Sequence, residues 1–412
     1  MTIPQTFQQL SATLPIWMPR LAFAPQAQAA RGDVLVCIFQ RGGMDGLNVV
    51  VPVGDSNYYT LRPTIGIAEP KPGDVKTAID LDGYFALHPA LALLKPLYDS
   101  KALAIVHACG SPDPTHSHFD AMDFMERGTP GAKALTTGWL ARHLASLNNG
   151  NLSPLRAVGI GTMVQESLRG EVPAVALRSI SDFHLRGRAN EITTLQKTLA
   201  TLYAAPQPIS PALQTAAHEI ADIERLLAKV NITTYKPTQS ASYPQSDFGR
   251  GLMQVAQLIK ADVGLEVACL DVGGWDTHSN EGGSEGTLAR LLTDLGGVLA
   301  AFYTDLGDQA RRTTIVTMSE FGRRAAENGS SGTDHGHANA MFVMGGNVNG
   351  GKVYADWPTL APDRLSEPGD LALTTDYRDI LAEIISKRLG NSRLDQVFPN
   401  YTPRMRGLLN SG

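Results

Sequence analysis

Five of the ten histidines fall in short polar stretches that also carry carboxylates or hydroxyls. Gly273-Gly274-Trp275-Asp276-Thr277-His278 sets Asp276 and His278 at i, i+2, so both can project toward one point from an extended loop. Asp334-His335-Gly336-His337 repeats that spacing with two imidazoles. One of the two is expected to face inward; spacing does not decide which, and His337 is favoured. Thr115-His116-Ser117-His118 and Ser319-Glu320, with Arg323 close behind, add further donors, and Asp45 stands among Gly42, Gly43 and Gly46. Oxygen and imidazole donors in such numbers suit a divalent metal site or an acid/base cluster.

Each piece also has an ordinary reading. Asp45 can shape a turn, and Asp276 can cap a backbone amide. Glu320 can pair with Arg323 or Arg324, and Trp275 reads as packing. Ser117 is the best nucleophile candidate, with Thr115 next: at a helix start, backbone amides and the helix dipole stabilise an anion, and a metal alongside would activate the hydroxyl. Its ordinary role there is an N-cap.

These stretches follow, or in one case precede, short apolar runs. DVLVCIFQ (33–40), KALAIVHACG (101–110), VGLEVACLDVGG and RRTTIVTMSE read as buried strands, and AMFVMGG (340–346) as another. Between them lie helical patterns: HPALALLKPLY, SHFDAMDFMERG (117–128) with Ser117 as N-cap and Gly128 as stop, TTGWLARHLASLNN, FGRGLMQVAQLIKAD, GTLARLLTDLGGVLAAFYTDL and DYRDILAEIISKRLG. Strand-helix alternation predicts an α/β fold, a doubly wound, mostly parallel sheet with helices on both faces. In such sheets ligands bind beyond the carboxyl ends of the strands, which puts the polar stretches on one edge. The predicted core is 31–149 and 246–400. Residues 150–245 read as a partly helical insertion or cap, with two helices inside 190–230, and 401–412 as a tail.

The 412 residues carry a net charge of −5 and no basic run, which gives nucleic acid no electrostatic footprint. Charged residues are 18% of the chain, below the roughly 25% usual for globular proteins. No long apolar run follows the N-terminus, so no later membrane span is expected. Three cysteines make no disulfide framework; Cys37 and Cys269 read as buried strand residues and Cys109 as a strand-end residue. Ala27-Gln28-Ala29 resembles the small-residue cleavage site of an export signal, without a basic start or a twin-arginine pair. Residues 1–30 are expected to be a signal remnant or a loose arm.

The order of these pieces resembles the alkaline phosphatase superfamily. Asp45-Gly46-Leu47 looks like its Asp-Gly opening, Ser117 like its nucleophile position, Asp276 and His278 like its later Asp/His pair. Ser319 to Gly322 matches its Ser-Asp-His-Gly strand end, with Glu320 and Phe321 as departures. QRGGMDGLN, SHFDAMDFMERGTPG, GGWDTH, SEFGRR and TDHGHANAMFVMGG together resemble an uncharacterised family of exported bacterial proteins placed in that superfamily, whose members usually carry a twin-arginine signal. The resemblance implies an alkaline phosphatase-like fold, a periplasmic or extracellular site of action, and a metal-dependent hydrolase of phosphate or sulfate esters, small-molecule or polysaccharide. It implies one or two divalent ions (Zn, Mn, Mg or Ca). Asp276, His278 and His337 would hold the main one. Asp45 and Glu320 would hold a second or orient the nucleophile, and His118, Arg323 or His335 would bind the substrate oxyanion. Cys109-Gly110-Ser111-Pro112 lacks the Cys-x-Pro-x-Arg signal, which argues against a sulfatase with a converted cysteine. Because Phe321 cannot bind a metal, a non-catalytic exported binding or assembly protein is the rival reading. A phosphomutase-type transferase is a third.

Overall fold

The computed structural model describes residues 32–147, 149–180, 222–223, 226–227, 230, 235–238 and 241–410. The expected N-terminal arm lies outside these residues, as does most of the expected helical pair within 190–230. Twelve strands are described: β1 (Val34–Gln40), β2 (Val50–Val51), β3 (Ile79–Asp80), β4 (Ala86–Leu87), β5 (Leu103–Gly110) and β6 (Ala157–Ile160). They continue with β7 (Val175–Leu177), β8 (Val267–Val272), β9 (Thr313–Met318), β10 (Asn339–Gly345), β11 (Val353–Tyr354) and β12 (Thr375–Asp376). The five longest helices among the described residues are α1 (His118–Arg127), α2 (Trp139–Ser146), α3 (Asp247–Lys260), α4 (Thr287–Leu306) and α5 (Tyr377–Lys387).

Nine strands form one sheet in the order β11-β5-β10-β9-β1-β8-β6-β7, with β12 also on β5; β2, β4 and β3 form a small second sheet. In the main sheet only β10 runs antiparallel to its neighbours. The architecture is α/β, doubly wound, with a mixed and mostly parallel sheet. Alternation along β1 shows how the layers are built: Val34, Val36 and Ile38 enter one apolar cluster with α3 and α4. Leu35, Cys37 and Phe39 enter another with α1, α2 and α5. Successive side chains of a strand point to opposite faces, so a continuous apolar run signals burial on both sides. Each buried aliphatic side chain contributes about 1.5–3 kcal/mol.

Two findings differ from the sequence reading. Strands β6 and β7 lie within 150–245 yet belong to the main sheet, so the first part of that segment is core and not cap. Their apolar runs are only four and three residues long, too short for periodicity to register. Within the expected tail, residues 401–410 pack on the core: Arg406 pairs with Asp379 at 2.9 Å, and Leu408 and Leu409 are buried. No helix among the described residues is long and apolar enough to cross a membrane.

The direction of β10 matters for the site. Because it runs against its neighbours, its start lies at the edge where β1, β5, β8 and β9 end. The polar stretch preceding it therefore meets the loops that follow those strands.

Candidate metal centre

The α1 helix starts where the sequence places it. Ser117 is its N-cap, its hydroxyl accepting from the Asp120 N–H at 3.5 Å, and Gly128 closes it in the left-handed conformation at φ 68°. The helix thereby presents His118 in its first turn. Asp276 and His278 come from the loop after β8, and His335 from the loop before β10. Arg323 and His335 pair through an isolated antiparallel bridge, which ties that loop to the one after β9.

Three imidazoles surround Asp276. His278 Nε2 lies 3.1 Å and His335 Nε2 3.3 Å from Asp276 Oδ1, and His118 Nε2 lies 3.5 Å from Oδ2. The Nε2 atoms of His278 and His335 face each other at 2.9 Å. Ligand atoms of His118, Asp276 and His335 all lie within 4.8 Å of one another. Ligands at about 2.0 Å from a tetrahedral ion are about 3.3 Å apart, close to the three distances from Asp276 though shorter than the full span of the group.

The outward nitrogens are engaged. His118 Nδ1 lies 2.7 Å from Glu320 Oε1, His335 Nδ1 lies 2.9 Å from the His116 carbonyl, and His278 Nδ1 lies 3.5 Å from Asp334. A partner on one ring nitrogen fixes the tautomer and leaves the other free to ligate. His118 Nε2 is buried without a hydrogen-bond partner, as expected of an atom meant for a cation. The Glu320 hydrogen bond raises the His118 pKa. Burial, then the charges of Arg323 and His118, lower that of His335. Burial works against ionisation of Asp276, yet Arg323 and the neighbouring histidines hold its pKa below the usual range. An anionic carboxylate among imidazoles is a donor set that fits a divalent ion.

Buried groups hold the loops. Arg323 donates Nε to Gly43 O at 2.5 Å, Nη1 to Thr333 O at 3.1 Å, and Nη2 to Trp275 O at 3.1 Å, to Asp276 Oδ1 at 2.7 Å and to Gly42 O. Gly42 takes φ 123°, and a Cβ there would sit 2.6 Å from the Asp276 nitrogen, so only glycine permits this approach. Phe321 is buried, its ring 4.8 Å from those of both His118 and His335. It forms a wall behind the imidazoles.

Several expected roles change. His335, not His337, joins the cluster: His337 turns its Nε2 to the Ser111 carbonyl at 2.7 Å. His118, expected on substrate, stands among the donors. Arg323, expected on an oxyanion, has its guanidinium taken up by the loops. Glu320 does not face the cluster as a ligand: Oε1 accepts from His118 and from Gly42 N at 2.8 Å, and Oε2 from Ser319 Oγ at 3.1 Å. Asp45 is fully buried and both its oxygens bind Arg62; burial opposes its ionisation, but Arg62 holds the pKa low. Asp276 and His278 lie side by side, Nε2 to Oδ1 at 3.1 Å. Ser117 lies exposed one residue before His118, and Thr115 Oγ1 accepts from its N–H at 3.2 Å. Cys109 is buried against Met341, its pKa pushed well up by burial, so it is no nucleophile. Arg62 and the buried Glu281 were not anticipated: an arginine in a turn and a glutamate in a Gly-rich loop carry no local signal of their partners.

No curated protein matches the chain. Among solved structures, it is similar to the PsFucS1 sulfatase from Pseudoalteromonas sp. at 12% identity and a TM-score of 0.37, covering 93% of this chain and 73% of that one. It is similar to the lipoteichoic acid synthase LtaP from Listeria monocytogenes at 8% identity and 0.34, covering 79% and 68%. The PH0037 protein from Pyrococcus horikoshii aligns at 12% identity and 0.34, covering 88% and 98%. All three superpositions are loose. The family described as "Protein of unknown function (DUF1501)" matches residues 95–393, a span that holds every donor of the cluster, and the chain belongs to that family.

Proposed function

We propose that this protein is a metal-dependent hydrolase of phosphate or sulfate esters, exported to the periplasm or beyond. The observation that carries the reading is the convergence of three imidazole Nε2 atoms on Asp276 while each Nδ1 is engaged elsewhere. The nitrogen-rich donor set favours Zn²⁺ over Mg²⁺ or Ca²⁺, which prefer oxygen ligands. When bound, the ion would supply Lewis-acid charge to an ester oxygen and lower the pKa of a neighbouring hydroxyl. Asp276, His278, His335 and His118 would hold it, with Glu320 keeping His118 in the right tautomer. Ser117, exposed at the start of α1, would form the bond to phosphorus or sulfur while the ester oxygen leaves with a proton. Water would then release the serine. Thr115 is second in line. A single ion is expected, because Arg62 neutralises Asp45 and His118 takes Glu320.

The test is metal content per chain by elemental mass spectrometry on protein purified without chelators, beside an Asp276→Ala, His278→Ala variant. One equivalent, lost in the variant, with hydrolysis of an ester panel abolished in Ser117→Ala, supports the proposal. No metal after incubation with Zn²⁺, Mn²⁺, Mg²⁺ or Ca²⁺ overturns it. Metal without hydrolysis would favour the non-catalytic binding reading, which the packing of Phe321 into the histidine cluster also suits. Transfer to a sugar hydroxyl would mark a phosphomutase.

A further inference from the structure

Glu281 is fully buried just beyond the Asp276–His278 loop. Its Oε2 accepts from Thr277 Oγ1 at 2.9 Å and from Thr333 Oγ1 at 2.8 Å. Thr277 lies between Asp276 and His278, and Thr333 stands two residues before His335. One carboxyl oxygen thus ties together the two loops whose imidazoles face each other at 2.9 Å. Backbone bonds reinforce the tie: Thr333 N donates to Thr277 O at 3.2 Å, Glu281 N to Ser331 O at 2.9 Å, and Asn280 N to Ser330 O at 3.0 Å.

The other face of the carboxyl meets Asn48 Nδ2 at 3.5 Å and lies beside the Asp45 carboxylate. Asp45 is itself gripped by Arg62. The clamp is therefore anchored to the loop after β1 as well. Burial, then the Asp45 charge, pushes the Glu281 carboxyl well above the usual range. A glutamine side chain at this position keeps the oxygen that accepts from both threonines. Two hydroxyls and a carboxyl are buried here only because they satisfy one another, since an unpaired buried polar group is costly.

We propose that Glu281 is a positioning residue for the metal centre, holding the Asp276–His278 loop and the His335 loop at ligating distance through Thr277 and Thr333. The proposal rests on the reading of the cluster as a metal centre. Glu281 touches no ligand and acts only through the loops.

The experiment measures Zn²⁺ affinity by competition with a chromophoric chelator, the visible absorption of the Co²⁺-loaded protein, and chemical unfolding of the metal-free protein in EDTA. Glu281→Leu is expected to weaken Zn²⁺ binding about 10–100-fold and to alter the Co²⁺ bands, whereas Glu281→Gln stays within about threefold of wild type. The Thr277→Val, Thr333→Val variant keeps Glu281 and removes its donors. It should match Glu281→Leu in affinity, and it carries the test if Glu281→Leu does not fold. Wild-type affinity and Co²⁺ bands in Glu281→Leu or in the threonine variant overturn the proposal and leave the metal centre standing. So does a Glu281→Gln protein as weak as Glu281→Leu. A wild-type protein that binds neither Zn²⁺ nor Co²⁺ overturns both.

Discussion

Replacing Glu320 by Gln tests the centre through an atom that does not ligate. Glu320 Oε1 sits 2.7 Å from His118 Nδ1, and its carboxyl is buried. Burial opposes its charge, but the His118 hydrogen bond and the Gly42 and Gly43 amides keep its pKa below the usual range. Across the imidazole, the carboxylate would stand about 6–7 Å from an ion bound at Nε2. A unit charge pair at that distance interacts by about 2.5 kcal/mol at an effective dielectric of 20. A divalent ion doubles this, and the open side of the site screens it: Asp276 is 47% exposed. The expected loss is therefore about 1.4–2.7 kcal/mol, a 10–100-fold weaker affinity, in line with outer-shell substitutions elsewhere.

The pH dependence has a definite sign. Glu320 raises the His118 pKa, so in wild type a proton competes with the metal and affinity falls as pH drops through that raised pKa. Glu320→Gln lowers the His118 pKa, and its affinity begins to fall at lower pH. The gap between the two proteins should be widest at high pH and narrow on acidification. Zn²⁺ titration at several pH values, with a competing chelator, reads both effects. Equal affinity of the two proteins at high pH would refute the orienting role of Glu320 and the assignment of His118 as a ligand.

Other outcomes follow from the same geometry. Arg323→Leu leaves four loop carbonyls without their buried donor, and at about 1–3 kcal/mol each urea unfolding should show a loss of several kcal/mol even without metal. Gly42→Ala drives a Cβ into the Asp276 backbone nitrogen, so metal affinity should fall while the spectroscopic signature of the folded sheet is kept. His107 is fully buried, its Nε2 2.9 Å from Val50 O and its Nδ1 2.8 Å from Ala108 N, and burial lowers its pKa to about 4. The folded state keeps it neutral while the unfolded chain protonates below about 6.5, so stability is lost as pH falls from there to about 4, up to about 3 kcal/mol in all. Unfolding of His107→Gln across that window should show a shallower acid slope than wild type; an identical slope would refute the assignment.

The strand-end loops were legible because their signals are local. An apolar run such as Val34–Gln40 can only be buried on both faces, and the glycines and polar residues after it mark an edge. Parallel α/β winding then gathers those edges without further information. The cap and stop of α1 were legible for the same reason: Ser117 and Gly128 act on their own backbone neighbours.

Partners distant in sequence were not legible. His335 and His337 have the same type and spacing to any local rule, and the choice between them rests on where His116 and Ser111 place their carbonyls. Glu320 faces His118 because α1 delivers that imidazole to it from 202 residues away. Asp45 was closed by Arg62, whose guanidinium also needs Asn48 and the Arg324 and Ala325 carbonyls to be satisfied. The direction of β10 leaves no trace in an apolar run. Sequence alone therefore determined which residues reach the edge, through periodicity and turn chemistry. Only the tertiary structure decided which of them face one another, because a buried charge settles on the partner that best repays its desolvation, and that partner is brought by the fold.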